Sequence, residues 1–160
     1  MSPRTREQFQ KIREERRQQI MSVALELFSR EGYGHVSIAQ LAGQTGISKG
    51  LMYNYFESKE QLLTEIVHQG LEQIAEIFDP NRDGVLTSDE FEYFIRKTFR
   101  SIREQPRYWG LFIGLILQPN VPPLLKKNPL VEFIGEYTSI LLDYFERKGF
   151  EDPMLELLNI

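Results

Sequence analysis

With 160 residues, 18.8 kDa, 41% apolar and 26% charged side chains, the chain is long enough to bury a core and has the composition of a globular protein. It contains no cysteine, which excludes disulfides, thiolate nucleophiles and cysteine-based metal centres, and its two histidines, His35 and His68, are far apart in sequence. The net charge of -4 hides an asymmetry: residues 1–60 carry nine Lys/Arg against seven Asp/Glu, whereas residues 61–160 carry ten against sixteen. No apolar run approaches the roughly 18 to 20 residues that span a membrane, and no signal-peptide pattern opens the chain, so a cytoplasmic protein without a membrane partner is expected.

A basic arm, residues 1–12, holds Arg4, Arg6 and Lys11, and Arg13, Arg16 and Arg17 follow it among Glu7, Glu14 and Glu15. Such a segment is drawn to phosphate, although mixed charge is also common on solvated helix surfaces. From Arg16 to Glu31, Ile20, Val23, Ala24, Leu27 and Phe28 recur at spacings of three and four and predict one amphipathic helix, closed by Gly32 and Gly34. Ser37 is placed to cap a second helix through Thr45, Ser48 a third over Lys49 to about Phe56, and Ser58 a fourth reaching Phe78. Further on, Phe91, Phe94, Ile95, Phe99 and Ile102 form a stripe that breaks near Pro106. The run Trp109 to Leu117 lacks a polar face and reads as buried all round, and Leu130 to Lys148 predicts another helix with Gly149 as its stop. Pro153 opens a last helix, and no stretch argues for a strand. The fold class expected is all-α.

The segment "SIAQLAGQTGISKGLMYNYF", residues 37–56, carries the most specific chemistry. Small Ala42 lets two short helices approach, Gly46 permits the turn between them, and Ile47 and Met52 pack the second helix on the first. The outward side chains of that second helix, Lys49, Gly50, Tyr53 and Asn54, are then free to enter a major groove. An ordinary helical hairpin shares the bare Ala-Gly-Met spacing, so the flanking residues matter.

Preceded by "ALELFSREGYGHVS" and followed by "ESKEQLL", the segment closely resembles the amino-terminal signature of the TetR family of bacterial transcriptional regulators. The resemblance covers about residues 13–73; beyond it, 74–160 matches only in helical character. It implies a helix-turn-helix domain over 13–73, joined by a long helix to a helical ligand-binding and dimerisation domain over 74–160. It further implies a homodimer that binds a palindromic double-stranded operator and is released by a small-molecule effector. Position by position, it places Ser37 at a helix start beside a phosphate, Ser48 to Tyr55 on the recognition helix, Tyr53 and Asn54 at groove and backbone contacts, and Tyr55 and Lys59 on phosphates. By the family's measure the chain ends early, since Leu155, Leu157, Leu158 and Ile160 look like an apolar end without its continuation.

In the second half, Tyr108, Trp109, Phe112 and Leu115, with Phe94, are candidates to line an apolar ligand pocket, although aromatic residues at helical spacing are more often plain core. A second pattern is "DPNRDGVLTSDE", residues 79–90, which has the register of a calcium loop. Asp79, Asn81 and Asp83 would supply side-chain oxygens, Val85 a carbonyl and Glu90 a bidentate carboxylate, with Gly84 at the bend. Thr87 and Glu90 equally form a capping box, and Asp83-Gly84 after Pro80 is ordinary turn chemistry. No second loop is present to pair with it. The leading reading is therefore a ligand-responsive DNA-binding repressor with no required cofactor. The alternative is a calcium-sensing helical module; an enzyme is not expected, because no nucleophile, base and orienting group stand together.

Overall fold

The structure, a computed structural model, describes residues 6–126, 130–150 and 152. Eight helices appear among them: α1 (Arg6–Glu31), α2 (Ile38–Thr45), α3 (Lys49–Tyr53), α4 (Lys59–Phe78), α5 (Ser88–Glu104), α6 (Pro106–Ile116), α7 (Val121–Leu125) and α8 (Leu130–Arg147). The fold is all-helical, with no strand among the described residues. No described helix is long and apolar enough to cross a membrane.

The described residues group into two compact units. Residues up to Val67 belong with Gly110–Leu124, and His68–Trp109 belongs with the residues from Leu125 onward. This departs from the sequence division at residue 73: the segment Gly110–Leu124 joins the amino-terminal unit, drawn there by apolar side chains that periodicity alone assigns to no particular partner. In that first unit Ile20, Ala24 and Phe28 of α1, Leu41 of α2, Met52 of α3, Leu62 and Leu63 of α4, and Phe112, Leu115 and Val121 are all buried. At Gly114 an added Cβ would come within 3.0 Å of the Ser29 hydroxyl, so the missing side chain is what allows α6 and α1 their close approach.

The second unit is built on Phe78, Leu86, Ile140, Tyr144 and Phe145, with Phe91, Phe94, Tyr137 and Leu141 packed against them. Its aromatic rings interlock: Phe78 and Phe94 meet edge-on at 5.1 Å, and Phe91 stacks on Tyr144 at 4.9 Å. Leu86 is fully buried although it lies in the loop before α5, and Arg147 fixes it from α8 by donating to its carbonyl at 3.0 Å.

Two sequence expectations change here. α1 starts at Arg6, well before the helix read from Arg16 in the sequence, so the described part of the basic arm belongs to it. α6 is not buried all round: Trp109, Phe112 and Leu115 are buried, but Ile113 and Leu117 are exposed, because an isolated apolar run still has two sides and the packing uses one. The expected helix from Pro153, with its apolar end, lies outside the described residues.

The start of α5 shows the capping box in full. The Glu90 N–H donates to the Thr87 hydroxyl at 3.3 Å, and the Glu90 carboxylate accepts the Thr87 N–H at 2.9 Å and its O–H at 2.7 Å. Thr87→Ala should lower the unfolding free energy by about 1 kcal/mol, read from the urea midpoint at unchanged slope.

Candidate nucleic-acid interface

The site is assembled from helix ends. The Ser37 hydroxyl accepts the Gln40 N–H at 3.1 Å and starts α2. At the other end Gly46 adopts φ +68°, a left-handed conformation that penalises any Cβ, and the chain reverses there. The Gly46 N–H reaches the Gly43 carbonyl at 3.2 Å and the Ile47 N–H reaches Ala42 at 3.0 Å, so a Schellman motif satisfies the last carbonyls of α2. One residue later Ser48 caps α3, accepting the Leu51 N–H at 3.1 Å. The whole turn between the two helices is thus Gly46, Ile47 and Ser48, each fixed by a hydrogen bond or a buried contact, while Thr45 is buried and donates its hydroxyl back to Leu41 at 2.8 Å.

α3 is shorter than the sequence suggests. Only Lys49–Tyr53 is helical, Asn54 is its C-cap, and Tyr55 follows in a turn. Met52 is its one buried residue, so Ser48, Lys49, Gly50, Leu51, Tyr53 and Asn54 are all exposed, and Tyr55 is half-buried. The expected recognition residues therefore stand together on one element, with Ser37 exposed at the start of the neighbouring helix. Leu51, 41% exposed between Lys49 and Tyr53, joins them; its outward register beside inward Met52 was the signal that could have found it.

Other basic residues have different work. Arg13 donates to the Asn54 carbonyl at 3.0 Å and Arg17 to that of Tyr55 at 3.2 Å, while Arg17 also pairs with Glu65 and lies 4.7 Å over the Phe56 ring. These guanidiniums close the carboxy-terminal end of α3, where cations meet the negative end of the helix. Lys59 likewise does not point at an open face. Its ammonium donates to the carbonyls of Tyr33 at 2.8 Å and Val36 at 2.9 Å and sits 4.3 Å over the Tyr33 ring. Burial pulls its pKa below the usual lysine value, against the opposing pull of Glu60. Gln118 completes the clamp on the α1–α2 loop, accepting the Tyr33 N–H at 2.8 Å and donating to the Phe28 carbonyl at 2.7 Å. His35 bonds the Glu31 carbonyl at 3.0 Å, and His68 lies beside Glu72 at 3.4 Å.

The five residues expected around a ligand pocket divide between the two units. Phe112 and Leu115 are buried in the first unit, whereas Tyr108, Trp109 and Phe94 belong to the second. Trp109 is buried and donates from its indole to the Ser101 hydroxyl at 2.9 Å. The apolar cavity of the second unit, about 210 Å³, is lined instead by Leu71, Ile74, Phe78, Phe133, Tyr137 and Leu141, and of the expected five it contains Phe94.

The residues of the calcium-like register are engaged with the loop itself. Asp79 accepts the Gly84 N–H at 3.0 Å, Asn81 the Asp83 N–H at 3.2 Å, and Asp83 the Val85 N–H at 2.8 Å. Glu90 is held by Thr87 in the capping box, and Val85 is exposed. No group of three or more acidic or histidine side chains among the described residues is gathered so as to hold a metal ion, so this arrangement gives the calcium reading no support.

The comparisons with known proteins bear on the first unit. Residues 20–66 match the family model described as bacterial regulatory proteins of the tetR family. These residues, which hold the turn between α2 and α3, are thus similar to that family's DNA-reading segment. Within the chain, 53 residues are 47% identical to the HTH-type transcriptional regulator HbdR of Aromatoleum sp. strain CIB, covering 33% of this chain and 23% of that protein. A longer match, 26% over 109 residues, joins 68% of the chain to 53% of the HTH-type transcriptional repressor AcnR of Corynebacterium jeikeium. The matched part therefore spans no more than about half the length of these curated relatives. A solved structure assigned to the TetR family, from Shewanella sp. PV-4, superposes with a TM-score of 0.62 at 21% identity, over 84% of this chain and 71% of that one. That likeness extends the TetR-like fold beyond the helix-turn-helix domain.

Two measurements test how this first unit is held. Lys59→Met keeps the apolar stem but loses both charge-assisted bonds, and should lower stability by about 2 kcal/mol in urea titration. The Tyr33 hydroxyl is buried without a partner, and burial, then the Glu60 carboxylate, push its pKa up to about 12. The folded state therefore keeps a proton that the unfolded chain releases near its ordinary value of about 10. Its contribution to stability is complete below that pH and is lost as pH rises through the folded value of about 12. Across this window the parent should lose stability more steeply than Tyr33→Phe, as measured by denaturant titration at stepped pH.

Proposed function

We propose that the protein is a sequence-specific, DNA-binding transcriptional regulator of the TetR type, a repressor released from its operator by a small-molecule effector held in the second unit. The observation that carries this reading is the outward face of α3. A helix fixed at both ends presents Ser48, Lys49, Gly50, Leu51, Tyr53 and Asn54 to solvent, with the capped start of α2 beside it. Exposed residues of these types on a short rigid rod suit a major groove, with Ser37 and Ser48 at helix N-termini that favour phosphate. The names of the matched relatives, a transcriptional regulator and a transcriptional repressor, support the same reading.

Within it, Lys49 neutralises phosphate, Tyr53 and Asn54 reach base edges and backbone, and Leu51 offers an apolar contact of the kind that fits a thymine methyl. Tyr55, half-buried with the Arg13 guanidinium 5.8 Å from its ring, supports the rod and offers its hydroxyl as a phosphate contact. Lys59 acts through the loop it clamps more than as a phosphate ligand. The protein works as a homodimer on a palindromic site, because two copies of a single reading head need two half-sites. The loop from Asp79 to Glu90 serves to close α4 onto α5.

Selection of duplexes from a random pool by the purified protein should enrich an inverted repeat, whose binding weakens steeply with salt in fluorescence anisotropy. Lys49→Ala should weaken binding to all sequences and lower the salt slope by about 1, while Asn54→Ala should relax preference at one base position in each half-site. A pool left without enrichment, or binding indifferent to salt, would overturn the reading.

A further inference from the structure

The reading of the second unit as an effector-binding unit leaves open what chemistry it takes, and one cavity there speaks to that. The second half of α4, the loop after it and α8 enclose about 280 Å³. Asp79 lines this space while only 6% exposed. One of its carboxylate oxygens accepts the Gly84 N–H, but the other, Oδ1, is buried with no hydrogen-bond partner. An unmet carboxylate oxygen taken out of water is costly, so the position favours any ligand that brings a positive charge or a donor to it.

The surroundings carry the same sign. Glu72, Glu76 and Glu136 share the lining and are exposed, and Arg82 is the one basic residue among those lining the cavity, so four carboxylates face one guanidinium. Tyr137 registers this field: burial first, then the carboxylates of Glu136 and Asp79, hold its phenol above the ordinary value, while Arg82 opposes them. The remaining wall is apolar, and two of its residues are aromatic. Phe133 and Tyr137, with ring centres 4.8 Å apart, line this acidic cavity and also the apolar cavity of about 210 Å³, and Ala75 is common to both. An anion would meet net repulsion here, and a metal ion would find no gathered ligand set among the described residues. A ring face beside carboxylates suits an organic cation, which gains from both charge attraction and cation–π contact.

We infer that the second unit binds an organic cation with an apolar body, its ammonium or amidinium head at Asp79 and its apolar part against Phe133 and Tyr137. This inference rests on the effector reading above, and it is tested without DNA.

Calorimetric titration of the whole protein with benzyltrimethylammonium should give saturable heat, and benzenesulfonate should give none. Asp79→Asn, which keeps the acceptor for Gly84, should weaken binding about tenfold, and Glu136→Gln, at an exposed position, about threefold, as expected for losing a near and a rim charge. Circular dichroism checks that both variants are folded; should Asp79→Asn fail that check, Glu136→Gln decides. Equal binding of the sulfonate, or affinity unchanged in every folded variant, would overturn the inference. So would the absence of heat with both benzyltrimethylammonium and the larger tetraphenylphosphonium, or calcium binding that requires Asp79 and excludes the organic cation. Duplex binding on the same preparations separates the two readings. Cation binding lost with duplex binding intact rejects only the cationic ligand; duplex binding absent with cation uptake intact rejects only the DNA-reading function.

Discussion

A helix of five residues has no stability of its own in water, because nucleation fixes several residues before the first hydrogen bond is repaid. α3 is such a helix, and the candidate function depends on it. It exists because its first turn is capped by Ser48, its one inward side chain, Met52, is fully buried, and the carbonyls just past its last residue are met by Arg13 and Arg17 from α1. The two arginines thus link the length of α1 to the placement of α3. The helix that follows the basic arm is thus partly a brace for α3.

The same logic extends outward from α3. The α1–α2 loop is held by an ammonium from α4 and an amide from the α6–α7 connection, so residues far along the chain fix the angle at which α2 begins. Gly110–Leu124 is therefore part of the first unit in packing terms. Its buried Phe112, Leu115 and Val121 supply apolar area that the three short helices, α2, α3 and the first turns of α4, are too small to bury among themselves.

In the second unit the loop from Asp79 to Glu90 shows how one pattern serves two chemistries. Alternating acidic and amide side chains with a glycine bend are what a calcium loop needs, and they are also what a tight connection between helices needs, since both require oxygens aimed inward at a curving backbone. Here the oxygens of Asn81, Asp83 and Glu90 meet N–H and O–H groups of the loop itself, and buried Leu86 anchors the turn. Asp79 keeps a buried oxygen without a partner, which is why the interest of the loop shifts from its own interior to the cavity that Asp79 lines.

What the sequence determined by itself was whatever depends on neighbours three or four positions away. The caps at Ser37, Ser48 and Ser58, the capping box of Thr87 and Glu90, the left-handed turn at Gly46 and the inward register of Met52 were all legible, because each is a local bond or a helical period. Two helices meeting at a turn, and the exposed face of the second, followed from them; reading the pair as a helix-turn-helix rested on the resemblance carried by the flanking residues. Only the tertiary structure decided what Lys59, Arg13, Arg17 and Gln118 do, since their partners lie 23 to 90 residues away and nothing in a side chain's type says which distant carbonyl it will meet. It also decided that Phe112 and Leu115 are core while Phe133 and Tyr137 line cavities: all four are apolar or aromatic residues at helical spacing, and burial against one neighbour or exposure to a cavity is a property of the assembled helices, not of the pattern along any one of them.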